Sequence, residues 1–218
     1  MGEVYNQPLY YEIAFSFVDV KKQIDLFERF IEKYSNVKVK RVLDIACGPS
    51  LQLRELARRG YEAIGLDINS KMLDYLRKKA TEEGIKIETV QADMCNFKLE
   101  KKVDFAFIMM GSFSFKDNEE LLRHLDCVSR SLKKGGLYLI ENMKLDWQNF
   151  SKPQIWTMQR GEIRVQTTYR TKPIDLISQT FEETIILEVN DHGKKLKFVE
   201  KEKLKHVFPQ EFLALLKL

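Results

Sequence analysis

The sequence is sparing with the residues that build metal and disulfide sites. Its 218 residues include only three cysteines, Cys47, Cys95 and Cys127. That odd number, at spacings matching no zinc or disulfide framework, leads us to expect reduced thiols in a cytoplasmic protein. The three histidines, His124, His192 and His206, are scattered and fall in no motif. Each reads as a surface or helix-face residue, and no metal site is expected. No apolar run approaches the roughly 18–20 residues needed to span a bilayer. The opening Met-Gly-Glu-Val-Tyr-Asn-Gln-Pro lacks the basic-then-apolar order of a secretory leader, and Asn6 stands where a myristoylation pattern wants Ser or Thr. A dominant charge is missing too: 36 Lys and Arg against 32 Asp and Glu leave a net +4. So weak a bias does not argue for nucleic acid, whose binders usually show a concentrated basic patch.

What is present is organised around Arg41 to Ser50. Val42, Leu43 and Ile45 form a short apolar run of the kind buried on both faces of a parallel sheet. Ala46-Cys47-Gly48-Pro49 forces a tight turn. Ser50 is an N-cap candidate for a helix over Leu51 to Arg59, and Gly60 is a stop. Gly48 permits close backbone approach, and the first N–H groups of the helix lack partners. Such a turn suits a polar ligand. A dinucleotide fingerprint would need G-x-G-x-x-G, but those places hold Ala46, Gly48 and Leu51. Pro49 also removes an N–H, and Asp44 repels a pyrophosphate while suiting an ammonium or sulfonium.

The pattern then repeats strand and helix. Val20 to Tyr34 carries a helical stripe of Val20, Ile24, Phe27, Phe30, Ile31 and Tyr34, expected to pack on the sheet. Glu62 to Ile68 reads as a second strand ending in Asp67, where a carboxylate can accept from both hydroxyls of a ribose. A helix follows from Ser70 to about Glu83, with Met72, Leu73, Leu76 and Ala80 on one face and a stop at Gly84. A third strand over Ile85 to Ala92 ends in Asp93-Met94, an acid for an adenine amino group and a soft contact for the ring. The polar stretch Cys95 to Lys102 leaves no room for a full crossover helix. Val103 to Met110 is the fourth strand. The loop after it, Gly111 to Phe115, lacks the Asn/Asp-Pro-Pro-Tyr of amino-group methylation on adenine or glutamine, and the Pro-Cys pair of covalent attack on a pyrimidine. A helix over Asn118 to Leu132 carries Leu121, Leu122, Leu125, Val128 and Leu132, is ended by Lys133 to Gly136, and leads to a fifth strand, Leu137 to Glu141.

The pattern Asp44-x-Ala46-x-Gly48-x-Ser50 resembles motif I of the class I S-adenosylmethionine-dependent methyltransferases, usually Asp/Glu-x-Gly-x-Gly-x-Gly. Leu132 to Ile140 resembles the family's Lys/Arg-Pro-Gly-Gly region before the fifth strand, with Lys134 replacing the proline. With Asp67 and Asp93-Met94, the resemblance covers roughly residues 40 to 142. It implies a Rossmann-like α/β fold: a doubly wound, mostly parallel sheet with helices on both faces, and S-adenosyl-L-methionine as cofactor. By the same analogy Asp44, Ala46 and Gly48 hold the methionine end, Asp67 and Ile68 the ribose, and Asp93 and Met94 the adenine. Met110 offers its backbone carbonyl to the ammonium. The implied reaction is in-line methyl transfer to an oxygen or nitrogen nucleophile, which needs positioning and water exclusion more than a catalytic acid; no catalytic base is assigned. Competing readings are a non-catalytic cofactor-binding or regulatory protein of the same fold, a nicotinamide oxidoreductase, and an aminopropyltransferase, which would show more acids after the fourth strand.

The flanks differ from this core. Residues 5 to 17 are unusually aromatic; they either staple the terminus to a core, or Tyr10 or Tyr11 closes over a cofactor pocket. After about Leu145 the periodicity becomes two, through Ile163, Val165, Thr167 and Tyr169, then Phe181, Ile185 and Leu187, then Leu196 and Phe198, with a strong turn signal at Asn190 to Gly193. We expect a single domain: an N-terminal lid and helix (1–40), a binding core (41–145), an antiparallel β cap (150–205) and a C-terminal helix (208–218). The cap is assigned either to acceptor selection, or to a homodimer surface or a plain cover for the sheet face. The lead-in and the insertion look like a subgroup of small, mostly uncharacterised members. A family hairpin completing a seven-stranded sheet has no counterpart before Leu218. A small-molecule acceptor is expected, with no nucleic acid and no membrane.

Overall fold

The computed structural model describes residues 3–141 and 152–217. The expected change of periodicity near Leu145 lies outside the described residues. In chain order the elements are α1 (Pro8–Ala14), α2 (Val20–Tyr34), β1 (Arg41–Ile45), α3 (Leu51–Arg58), β2 (Glu62–Asp67), α4 (Ser70–Glu82), β3 (Ile87–Gln91) and β4 (Val103–Ile108). They continue with α5 (Asn118–Ser131), β5 (Leu132–Ile140), β6 (Gln154–Arg160), β7 (Ile163–Asp175), β8 (Thr180–Asp191), β9 (Lys194–Lys205) and α6 (Pro209–Leu215). They group into two compact units. One comprises Val18–Ser112 and Glu119–Glu141; the other comprises Met1–Phe17, Phe113–Asn118 and Asn142–Leu218.

The first unit is the Rossmann-like core. Its five strands are all parallel, in the order β3-β2-β1-β4-β5. The order reverses beside β1, and in open α/β sheets that point, at the carboxyl ends of the strands, is where ligands bind. The central strands are apolar because helices cover both their faces: β4 is buried at every position. Ile24 and Phe27 of α2 pack with Val42, Leu53, Leu56, Phe105 and Phe107, so α2 covers the sheet as expected. Val20 and Ile31 pack against the same core, whereas Phe30 and Tyr34 are exposed and lie against each other, ring centroids 6.3 Å apart; Phe30 stands at the edge of the apolar face and Tyr34 is the last residue of the helix.

The helix ends follow local chemistry. Ser50 Oγ accepts from Leu53 N at 3.0 Å, and Asn69 Oδ1 accepts from Lys71 N at 2.9 Å, each satisfying a first-turn donor. Gly60 and Gly84 follow α3 and α4 with φ of +89° and +66°, the left-handed geometry that ends a helix. Between β3 and β4 no helix forms, as expected. Lys133 to Gly136 do more than end α5: they are already part of β5, which pairs with β4 through a register irregularity. A Cβ on Gly136 would come within 2.7 Å of the Asp104 carbonyl oxygen, so the second glycine is required by close backbone approach.

The second unit is built on an antiparallel sheet in the order β6-β7-β8-β9. The β8–β9 hairpin closes with Asp191 opposite Lys194, and both central residues, His192 and Gly193, have positive φ (+51° and +85°), the twist-matched turn that Asn-Asp-His-Gly signals. One face of this sheet meets the N-terminal segment. Val4, Ile13 and Ala14 are fully buried with Val165, Leu187 and Val189. Tyr10 donates its hydroxyl to Asp191 Oδ2 at 2.7 Å and stacks on Phe198, and Trp156 Nε1 donates to the Ala14 carbonyl at 2.7 Å. These contacts fit the staple reading of the aromatic lead-in, although its core is the antiparallel sheet.

Candidate functional site

The turn after β1 is held in unusual backbone geometry. Ala46, Gly48 and Ser50 have φ of +55°, +52° and +28°, a conformation that costs non-glycine residues energy. What over-determines it is a web of short contacts. Cys47 N donates to the Leu66 carbonyl at 2.9 Å, Ser50 N to the Cys47 carbonyl at 3.1 Å, and Gly48 N to Asp67 Oδ2 at 2.7 Å. A Cβ on Gly48 would meet no atom within 4 Å, so the space beside this residue is open to a ligand. Asp44 lies beneath the turn, buried, and accepts from Ser50 Oγ at 2.5 Å. Burial pushes its carboxyl up to about 8; the Ser50 hydroxyl opposes this and the neighbouring Asp67 adds to it. The Cys47 thiol is likewise held well above its ordinary value, by burial first and then by Asp44 and Asp67. Two acids enclosed this closely, with no cation among their described partners, form a site that would gain from a positive ligand.

Asp67, at the carboxyl end of β2, ties the site together. Besides the Gly48 amide it accepts from Asn69 N at 2.8 Å through Oδ1, and its backbone carbonyl accepts from Ala92 N at 3.1 Å. Burial raises its carboxyl above the ordinary range while the amides of Asn69, Gly48 and Ile68 pull it back. The carboxylate keeps acceptor capacity beyond these amides for a hydroxyl donor. Ile68, the next residue, is 51% exposed, an apolar side chain left uncovered at the end of a strand. Gly65 of β2 carried no expectation, but a Cβ there would lie 2.8 Å from Cys47 Sγ and 3.0 Å from Leu76 Cδ2. Gly65→Ala is therefore expected to cost about 1–3 kcal/mol through overpacking, read by urea denaturation. A loss under about 0.5 kcal/mol would show that the turn after β1 yields freely.

Beyond β3, Asp93 caps its own turn: Oδ1 accepts from Cys95 N at 2.7 Å and its carbonyl accepts from Asn96 N at 2.9 Å, an Asx-type arrangement. Asp93 is exposed and Met94 half-buried. The Met94 carbonyl is bonded to His124 Nδ1 at 2.9 Å, and His124 Nε2 to the Tyr138 hydroxyl at 2.7 Å. Of the two roles expected of His124, surface or helix-face residue, it takes the second: it is fully buried on α5, while Leu122 of the same helix is 47% exposed. The hydrophobic stripe of α5 is rotated to bury a hydrogen-bonded imidazole in place of that leucine. After β4, Met110 has φ +56° and its amide donates to Glu141 Oε2 at 2.8 Å. Glu141, at the end of β5, was read only as a strand residue.

The core thus brings together eight of the nine residues singled out in the sequence: Asp44, Ala46, Gly48, Asp67, Ile68, Asp93, Met94 and Met110 all follow the carboxyl ends of β1 to β4 or stand at them. The ninth, Tyr11, belongs to the other unit, where its ring meets Tyr5 and Phe15 at centroid distances of 5.9 and 4.6 Å. Asn69, His124 and Glu141 were missed. Asn69 precedes Ser70 as an ordinary helix cap signal. Glu141 follows the same rule as the other acids, a carboxylate where a parallel strand ends. His124 left no local signal, since its partners lie 30 and 14 residues away. Among the described residues no group of His, Cys, Asp or Glu is arranged to hold a metal ion, and no helix is long and apolar enough to cross a membrane.

Residues 42–136 match the family described as a methyltransferase domain. The chain is 30% identical over 96 residues to a ubiquinone biosynthesis O-methyltransferase of Nitrosococcus oceani, covering 44% of this chain and 37% of that protein. It is 28% identical over 101 residues to a dTDP-3-amino-3,4,6-trideoxy-alpha-D-glucopyranose N,N-dimethyltransferase of Streptomyces venezuelae, covering 46% and 41%. The matched stretch therefore spans less than half the length of either relative. Among solved structures, the sugar N-methyltransferase KedS8 of a Streptoalloteichus species superposes with a TM-score of 0.78 at 23% identity, covering all of this chain and 84% of that one. Residues 42–136 are thus similar to the methyltransferase-domain family, and the chain shares its fold with the solved sugar N-methyltransferase KedS8.

Proposed function

We propose that the protein transfers the methyl group of S-adenosyl-L-methionine to an oxygen or nitrogen atom of a small molecule. The observation that supports this most is the Asp44–Ser50 turn bonded to Asp67: a buried acid, an open space at Gly48, and a second acid with lone pairs to spare. The donor set fits such a cofactor. Asp44, pushed up to about 8 by burial, is the kind of group a nearby ammonium or sulfonium returns to its ionised form. Asp67 suits two vicinal hydroxyls, and Asp93 suits an amino group beside the apolar Met94 and Ile68. Met110, turned by its positive φ and fixed through its amide to Glu141, is proposed to give its carbonyl to the ammonium. Tyr11 is kept as a cofactor residue by resemblance alone.

When bound, S-adenosylmethionine supplies an electrophilic methyl on a charged sulfur. The work left to the chain is to orient that methyl and to keep water away from it. Asp44, Gly48 and Met110 fix the amino-acid end, while Asp67 and the 93–94 turn fix the nucleoside. No proton transfer is assigned to any residue. The names of the relatives, acting in ubiquinone biosynthesis and on an amino sugar nucleotide, support a small-molecule acceptor over nucleic acid. The sheet β6–β9 is proposed to select that acceptor, or to pair two copies as a homodimer. The three buried free thiols suit a cytoplasmic setting.

Calorimetric titration of the whole chain with S-adenosylmethionine, S-adenosylhomocysteine and NAD tests this reading. Binding of the first two and none of NAD is expected, followed by a mass gain of one methylene unit, a methyl replacing a proton, in a screened amine or hydroxyl acceptor. Binding without transfer to any acceptor would favour a regulatory role. No binding of either sulfur ligand would overturn the proposal. The same titration on Tyr11→Ala decides whether Tyr11 contributes.

A further inference from the structure

The imidazole of His124 is placed to set the shape of the 93–96 turn, and this reaches further than burial of a helix residue. A backbone carbonyl can only accept, so the 2.9 Å contact with Met94 requires Nδ1 to carry the proton. In a neutral ring Nε2 must then accept, and the Tyr138 hydroxyl, 2.7 Å away, donates to it. Full burial keeps the ring neutral, holding it down to about 4. The result is one directed chain, from Tyr138 of β5 through His124 of α5 to the peptide carbonyl of Met94. The turn is closed on its other side by the Asp93 carboxylate and carbonyl, which take the amides of Cys95 and Asn96. The peptide that follows Asp93 is thus fixed from two directions, and the carboxylate has little freedom to move.

Resting on the cofactor reading above, we propose that His124, held in one tautomer by Tyr138, is a positioning residue that makes the Asp93–Met94 turn selective for a 6-aminopurine. His124 does not touch the ligand in this assignment. It acts by fixing the Met94 carbonyl, and through that the place of the Asp93 acceptor. A purine with an amino group at position 6 can donate to a carboxylate, whereas a 6-oxo purine presents an acceptor there and is rejected. A loosened turn loses this discrimination before it loses binding altogether.

The test compares the affinities of S-adenosylhomocysteine and its 6-oxo analogue, S-inosylhomocysteine, by calorimetry on wild type, His124→Leu, His124→Asn and Tyr138→Phe. Wild type is expected to prefer the amino form. His124→Leu should reduce that preference about tenfold, the equivalent of one lost hydrogen bond. His124→Asn, whose amide can donate near the Nδ1 position, should recover most of it, and Tyr138→Phe should fall between. A merely structural histidine would lower thermal stability in all three variants and leave the amino-to-oxo ratio untouched, and that result overturns the inference. If His124→Leu does not fold, the ratio in the other two variants decides in the same way. Wild type that binds neither ligand would overturn the cofactor reading itself; wild type that binds both equally would overturn only the role given to the turn.

Discussion

Replacing Asp67 with alanine is expected to weaken binding of S-adenosylmethionine by at least about a hundredfold. Two hydrogen bonds from hydroxyls to a carboxylate, each worth about 1.5–3 kcal/mol, already account for that factor. The side chain also holds the turn, through Gly48 N at 2.7 Å and Asn69 N at 2.8 Å, so its removal frees two amides at the moment it removes the acceptor. Asp67→Asn separates the two effects: it retains one oxygen for an amide and has no charge. Calorimetry gives the affinities, and circular dichroism with a thermal melt shows whether each variant is folded. A folded Asp67→Ala protein that binds within threefold of wild type would remove the ribose role from this residue.

Asp44→Asn is expected to make the ligand-free protein more stable near neutral pH while it weakens the cofactor. Burial pushes the carboxyl up to about 8 in the folded chain, against about 3.9 for a free aspartate. Between those values the folded state holds a proton that the unfolded state has released, so stability falls as pH rises through the window. The full difference corresponds to an upper bound of about 6 kcal/mol by the linkage relation. Asparagine cannot ionise and can still accept from Ser50 Oγ, so part of that penalty is recovered. A gain of about 2 kcal/mol, or about 4–8 °C in melting temperature, is expected at pH 7.5. The difference between wild type and variant should shrink as pH is lowered toward 4. A variant less stable than wild type at pH 7.5, or a difference that does not change with pH, would contradict this account of Asp44.

Much of the core was legible because its determinants are local. Val42 to Ile45, the small-residue turn, the Ser50 cap and the stops at Gly60 and Gly84 each act within a few residues of themselves, and the structure has them where periodicity put them. The three acids at successive strand ends were legible for the same reason. What escaped were relations across the sheet. Gly65 is small because Cys47 Sγ passes over it, 18 positions earlier in the sequence. His124 is buried because Met94 and Tyr138 satisfy both ring nitrogens; a lone histidine on a helix carries no hint of that. Phe30 and Tyr34 show the reverse error, since the apolar face of α2 is broader than the strip that Val20, Ile24, Phe27 and Ile31 press on the core. The paired register of β6 to β9 was visible in the alternation, but the partner for its apolar face was not, because Val4, Ile13 and Ala14 come from the opposite end of the sequence.

That last pairing has a consequence for synthesis. Tyr10 and its acceptor Asp191 are 181 residues apart, and a ribosome adds about 5–20 residues per second. Residues 4–15 therefore leave the ribosome about 10–40 s before the strands that bury them exist, on that rate. Throughout that interval the parallel core can assemble from its own consecutive segments, whereas Val4, Ile13, Ala14 and the tyrosines beside them wait in contact with water or with a holdase. Residues 4–15 of the growing chain therefore stay open to capture by chaperones until the strands that bury them have emerged.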